Sequence, residues 1–202
     1  MGAKSISDLL NSYLNKEIPD KDYIFRRVPL NVFLEGRPEH KLDIVPQIFR
    51  NEKGTDMSVD WERICIDPRI TQTRDDKNAD ENGVVVLSYF DVKKFNQHLL
   101  KVISDQIGYD CHCSLTGIPM SLSILKKIHR KKYDSLSIDE KRRIDTLLLA
   151  IREHLVENSF WIITLKNSKL KNPPHEFNYA EKVHNNIQIK NFFLTRKHPI
   201  PT

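Results

Sequence analysis

Apolar positions along the chain switch between helical and strand periods. Ile6, Leu9, Leu10, Tyr13 and Leu14 recur at helical spacing, with Ser5 as N-cap, and Ile18-Pro19-Asp20 ends that helix. Tyr23 to Val28 alternates Tyr23, Phe25 and Arg27 against Ile24, Arg26 and Val28, a strand closed by Pro29. Asn31 to Leu34 reads as a short extension before the Gly36-Arg37-Pro38 turn. Over 41–56, Leu42, Ile44, Val45, Ile48 and Phe49 predict a buried short strand or helical turn interrupted by Pro46. Met57 to Trp61 alternates again, and 67–82 is a polar, turn-rich stretch expected as an exposed loop. Val84-Val85-Val86-Leu87 is continuously apolar, so a strand covered on both faces is expected over Gly83 to Phe90.

Asp91 is placed to cap a helix over 92–106, with Val92, Phe95, Leu99, Val102 and Ile103 as its stripe and Gly108 as its stop. After the Gly117-Ile118-Pro119 turn, a helix over 120–132 turns Ile124, Leu125 and Ile128 inward. The capping box Ser137-Ile138-Asp139-Glu140 opens a second helix to about residue 157, striped by Ile144, Leu147, Leu148, Ile151 and Leu155. A strand from Phe160 to Lys166, a polar loop over 167–186 and a last strand over 187–195 complete the pattern. This order predicts an α+β fold: one domain over 1–202, a mixed or mostly antiparallel sheet, and a helical insertion over about 92–157.

Composition adds a sign to this outline. The net charge is +5 and the isoelectric point about 9.0, which permits a polyanionic partner. The charge concentrates in Lys126–Arg143: Lys126, Lys127, Arg130, Lys131, Lys132, Lys141, Arg142 and Arg143 against Asp134, Asp139 and Glu140. The apolar stripe of the first helix turns Lys127, Arg130 and Lys131 outward, and the second helix begins with Lys141, Arg142 and Arg143; together with Lys126 these residues can contact phosphates. Two ordinary solvated helices would carry such charges too. The pair lacks the glycine turn and base-reading set of a helix-turn-helix. No apolar run approaches the roughly 18 residues of a membrane span. The start of the chain lacks the apolar core of a secretion signal. Three cysteines, Cys65, Cys111 and Cys113, fit a reducing cytoplasm.

Candidate chemistry is scattered. Cys111-His112-Cys113 lacks the knuckle spacing of a zinc site, with Cys65, His98, His175 and His184 dispersed, so no metal and no cofactor is expected. His175, Glu176, Tyr179, Glu181 and His184 gather acid–base residue types beside Pro173-Pro174. Arg26-Arg27 with Ser58 resembles, in residue type, the Arg–Ser–Glu logic of ADP-ribosyltransferases, although no late strand carries a convincing glutamate. There is no Walker loop and no G-x-G-x-x-G. The Arg143–His154 segment also lacks the arginine–histidine spacing of helical ribonucleases.

Asp22-Tyr23-Ile24-Phe25-Arg26-Arg27-Val28, followed by Met57-Ser58-Val59-Asp60-Trp61, resembles the opening of a group of small uncharacterised bacterial proteins. Those proteins begin with an aromatic-Arg-Arg-aliphatic strand and continue to a Ser-Val-Asp element. The likeness spans residues 1–90 and implies a prokaryotic source and a compact α+β domain. It carries no function.

The leading expectation is a non-enzymatic, cytoplasmic, prokaryotic protein that binds DNA or RNA, or docks in a nucleic-acid-handling assembly, through the basic helical face. The alternative is a nuclease or transferase acting on nucleic acid or nucleotide through Arg26, Arg27, Ser58, His175, Tyr179 and His184. A third reading is a protein-interaction subunit, with no membrane contact, whose basic face meets an acidic protein and whose exposed Phe192-Phe193-Leu194 tail docks on a partner.

Overall fold

The alternation over Tyr23–Val28 places this strand near the middle of a seven-stranded sheet. The strands are β1 (Lys16–Glu17), β2 (Tyr23–Val28), β3 (Met57–Trp61), β4 (Gly83–Ser88), β5 (Lys101–Ser104), β6 (His112–Thr116) and β7 (Ser159–Ile163). Their spatial order is β1-β5-β6-β3-β2-β4-β7, and every pairing is antiparallel. The architecture is therefore α+β. The computed structural model describes residues 11–40, 42–50, 56–73, 81–97, 99–107, 110–165 and 179–196.

Helices cover the sheet on both faces. They are α1 (Leu30–Glu35), α2 (Pro68–Thr73), α3 (Tyr89–Lys93), α4 (Leu122–Ile128), α5 (Arg130–Ser135), α6 (Ile138–Glu157), α7 (Tyr179–Asn185) and α8 (Ile187–Thr195), with a 3-10 turn at Pro46–Phe49. The register sets Phe25 opposite both Asp60 and Val86, so these three share one face. There α8 seats Phe192 with its ring centroid 5.9 Å from that of Phe25 and 4.9 Å from that of Tyr23. From α2, Thr71 donates to Asp60 at 2.6 Å.

The opposite face carries Ile24, Arg26, Val85 and Trp161. Phe33 of α1 stacks edgewise on Trp161 at 5.7 Å, and Trp161 Nε1 donates to the Leu42 carbonyl at 3.0 Å. Arg26 Nε reaches the Ile48 carbonyl at 3.4 Å, and α6 packs against that same 3-10 turn. Ile151 and Leu155 of α6 are fully buried. Between these two layers all six residues of β4 are buried, as its unbroken apolar run requires.

Several expectations are corrected. Residues 187–195 form helix α8, not a strand. Asn186 Oδ1 accepts from Ile189 N at 2.9 Å as an N-cap. Ile189, Phe192 and Phe193 are buried at helical spacing while Ile187 and Leu194 are exposed. Phe192 and Phe193 are therefore core residues and not an exposed docking tail. The helical insertion over 92–157 is shorter than expected, because its first part holds β5 and β6 and the helical portion is 122–157. Helix α3 ends at Lys93, and Asn96 and Gln97 adopt positive φ of 39° and 55°, which no helix continues through. Exposed Lys101 between buried Leu100 and Val102 then obeys the strand period.

The helix expected over 120–132 breaks at His129 (φ −128°, ψ 57°) into α4 and α5. Within 67–82, α2 buries Thr71 and Gln72 where an exposed loop was expected. The extension over 31–34 is α1, and the loop over 167–186 holds α7. Ser88, not Asp91, caps α3, accepting from Asp91 N at 3.4 Å. The start of the N-terminal helix, residues 5–10, lies outside the described residues.

Candidate functional sites

The basic residues of α4, α5 and α6 are positioned by short-range rules. Ser121 caps α4 by accepting from Ile124 N at 3.5 Å. Ser137 and Glu140 form the full capping box of α6: Ser137 Oγ accepts from Glu140 N at 3.2 Å, and Glu140 Oε2 accepts from Ser137 N at 2.7 Å. The Ser137 backbone N–H, first among the causes, holds the Glu140 carboxyl below its ordinary value. Leu125 anchors α4, and Leu148, Ile151 and Leu155 anchor α6.

That anchoring leaves Lys126, Lys127, Arg142 and Arg143 exposed and Lys141 half-buried, and on α5, which buries no residue of its own, Arg130, Lys131 and Lys132 are exposed too. Tyr133 of α5 ties the three helices together, with Lys126 Nζ 5.5 Å and Lys141 Nζ 4.2 Å from its ring centroid. Arg130 pairs with Asp134 and Arg142 with Asp139, each at 3.7 Å and open to solvent, where such pairs hold their charges loosely. Asp139, Arg142, Arg143, Thr146, Leu147 and Ala150 line an open depression of about 530 Å³ on α6. Lys126–Arg143 holds eight of the 32 Lys and Arg and three of the 27 Asp and Glu, so the rest of the chain balances at 24 of each. The whole net charge of the protein sits on this module.

A second constellation is assembled by strand register. Ser58 on β3 lies opposite Ser114 on β6, and Asp60 lies opposite His112, so all four share the face that α2 and α8 cover farther along the sheet. Ser58 Oγ is 2.9 Å from His112 Nε2. His112 Nδ1 bonds Asp105 Oδ1, just past β5, and Ser114 Oγ donates to Asp105 Oδ2. The Ile107 N–H adds a bond to the same carboxylate at 3.3 Å. In the neutral ring with its proton on Nδ1, toward Asp105, Nε2 is the atom left to accept from the Ser58 hydroxyl. His112 is 9% exposed, whereas Ser58 faces solvent.

The backbone around this cluster is constrained. The β2–β3 pairing runs only through Ile24–Trp61 and Phe25–Asp60, and beyond it Arg26 Nη1 donates to the Ser58 carbonyl at 2.8 Å. Gln106, next to Asp105, holds a left-handed φ of 53°, and its N–H donates to the His112 carbonyl at 3.1 Å.

The residues of the enzyme alternative are only partly brought together. Arg26 meets Ser58 through the serine's backbone, and its side chain lies on the opposite face from the hydroxyl. Arg27 is half-buried on β2 on the serine's face, paired with Val84. His184 is exposed on α7 and, among the described residues, makes no hydrogen bond or ion pair with Arg26, Arg27 or Ser58. Tyr179 starts α7, its side chain lies outside the described residues, and so does His175 altogether.

His112 and Asp105 were not linked to Ser58 in the sequence. The usable signal was Ser58-Val59-Asp60 and His112-Cys113-Ser114 on alternating segments that a hairpin-like register could juxtapose. Cys113 turns to the other face, where burial pushes its thiol far up. Asp60, Cys65 and Cys111 do gather, each offering one ligand atom within 4.8 Å of the others, and all are buried. Hydrogen bonding already serves two of the three: Thr71 donates to Asp60 at 2.6 Å and lies 3.4 Å from Cys65 Sγ.

No family model, no curated protein and no solved structure matches this chain.

Proposed function

We propose that the protein binds nucleic acid through the cationic module of α4, α5 and α6, in the cytoplasmic, prokaryotic setting expected from its composition and its bacterial resemblance. The observation that carries this reading is the concentration of the entire net charge in one stretch, Lys126–Arg143, on three successive helices of which α4 and α6 are capped and anchored. Lys126, Lys127, Arg130, Lys131, Lys141, Arg142 and Arg143 contact phosphates. Rigidity matters here, because helices fixed before binding lose less freedom on binding than a basic tail that must first be ordered. Contact with the phosphate backbone positions the protein without reading sequence, so affinity is broad and governed by salt.

Fluorescence anisotropy with a labelled DNA duplex and a labelled single-stranded RNA tests this. Binding is expected at about 50 mM salt, with log K falling by about 0.9 per contacted phosphate on a log-salt axis for duplex DNA. The K127E/R130E/K131E/R142E/R143E variant is expected to retain its thermal midpoint, lose binding and flatten that slope. Absence of binding by the wild type at that salt, or unchanged binding by the folded variant, overturns the reading.

A further inference from the structure

We propose that Ser58, His112 and Asp105 form a catalytic centre that hydrolyses carboxylic esters, with Ser58 Oγ as nucleophile. This activity is separate from nucleic-acid binding, and the two succeed or fail independently. The centre lies on the opposite face of the sheet from the layer in which α6 packs.

The geometry supplies each role in turn. A serine hydroxyl is a weak nucleophile unless a neighbouring base removes its proton as it attacks. His112 Nε2 stands 2.9 Å from Ser58 Oγ, within the reach that transfer requires. The imidazole must present a lone pair at Nε2, which requires its proton on Nδ1, and Asp105 enforces this tautomer by accepting from Nδ1. Asp105 is held in turn by Ser114 Oγ and the Ile107 N–H, so the orienting carboxylate is itself oriented. A purely structural chain of hydrogen bonds has no need of a solvent-facing end. Here the base and its carboxylate are mostly buried, while the serine opens to solvent.

The backbone is consistent with a positioned nucleophile. Arg26 anchors the Ser58 carbonyl from the next strand at 2.8 Å, and Gln106 holds a left-handed conformation between Asp105, which orients the base, and Ile107, whose N–H holds Asp105. The chain order is Ser58, Asp105, His112, and roles of this kind are recognised by geometry, not by order along the chain.

The arrangement of groups selects the substrate class. A serine hydroxyl with a histidine base and an orienting carboxylate is suited to acyl transfer through an acyl-serine, and a carboxylic ester is the acyl donor with the readily departing alcohol. In the acylation step the proton on Ser58 Oγ passes to His112 Nε2 while Oγ bonds to the carbonyl carbon. The carbon–alkoxy bond breaks, and the imidazolium returns its proton to the departing alcohol. Water then attacks the acyl-serine, giving its proton through His112 to Ser58 Oγ as the acyl–oxygen bond breaks. One ester and one water give one acid and one alcohol, with no redox change.

The test uses a fluorophosphonate probe on the full chain, followed by peptide mass spectrometry, and hydrolysis of p-nitrophenyl acetate and butyrate. The probe is expected to phosphonylate Ser58, releasing fluoride. Ser58→Ala is expected to lose labelling and about a thousandfold of ester turnover, and Asp105→Asn to lose less, as a residue that acts through the base does. Ser135→Ala, on α5, serves as the control with unchanged turnover. Ser58 is exposed, so its alanine variant tests chemistry even if substitutions at His112 fail to fold. Wild-type protein that neither takes the probe at Ser58 nor hydrolyses either ester above buffer overturns the proposal. Ser58-dependent cleavage of nucleic acid in place of esters overturns the assigned substrate class.

Discussion

The cationic module and the serine centre are built by opposite means. Every charge of the module lies between residues 126 and 143, and two caps and the buried side chains of α4 and α6 fix the helices that flank α5. The serine centre joins residues 54 positions apart, and it is the pairing of β3 with β6 that brings Ser58 to His112. A local site survives wherever its own segment folds. A register-built site exists only when the whole sheet is correct, since a slip of one residue sends every side chain to the other face. Damage to the sheet and damage to the caps should therefore separate the two activities.

The largest effect is expected from Trp161→Ala. It removes a fully buried indole, its bond to the Leu42 carbonyl and its contact with Phe33. A loss of about 3–5 kcal/mol is expected by urea denaturation, as for other buried aromatic truncations. Ser58 labelling should disappear in proportion to the unfolded fraction.

Gly117→Ala is a narrower cut at the serine centre. Gly117 comes directly after β6 at φ +87°, and an added Cβ would lie 2.1 Å from the Leu99 carbonyl oxygen. A cost of more than about 1 kcal/mol is expected, because the left-handed conformation and the clash both oppose a side chain. Turnover measured below the new unfolding transition should fall further than nucleic-acid affinity. Equal losses in both would show that β6 matters to the module as much as to the serine.

A third test is alkaline titration. Burial, the first cause, pushes the Tyr23 phenol from 10.0 to about 12. Below the unfolded value both states keep the proton, and the full stability is present. Between pH 10 and about 12 the unfolded chain deprotonates first, so stability falls as pH rises through that window. Thermal unfolding from pH 9 to 12 should show this slope, and Tyr23→Phe should flatten it while also losing the bond to the Gln188 carbonyl. An unchanged slope in that variant would assign the alkaline loss elsewhere.

The smallest effect is expected from Ser137→Ala, which removes one half of the α6 capping box. About 1 kcal/mol is the usual cost of losing such a cap. Nucleic-acid affinity should weaken through fraying around Lys141–Arg143, and Ser58 labelling should be unchanged. Loss of labelling here would show that the module and the sheet centre are coupled.

Much of the fold was legible in the chain, wherever a rule acts over a few residues. The strands at Tyr23–Val28, Met57–Trp61 and Val84–Leu87, the capping box at Ser137 and the stripe through Leu155 all stand where the pattern put them. The failures have physical causes. Ile187 to Leu194 is apolar enough for either period, and only its N-cap Asn186 and the burial of Phe192 beside Tyr23 and Phe25 select the helix. The segment 92–106 has a usable helical stripe, but positive φ at Asn96 and Gln97 breaks it, and Lys101–Ser104 pairs with β6 in the sheet instead. Arg26 and Ser58 stand out in the sequence as residue types, yet their link runs through a backbone carbonyl that no side-chain pattern reveals.

The sequence by itself determined where this protein keeps its charge, because helix periodicity and capping act within one or two turns of Lys126–Arg143. The tertiary structure alone decided that Ser58 has a base and that the base has a carboxylate. Strand pairing is a long-range choice, and only the antiparallel register of β3, β6 and β5 carries Ser58, His112 and Asp105 to one point on one face.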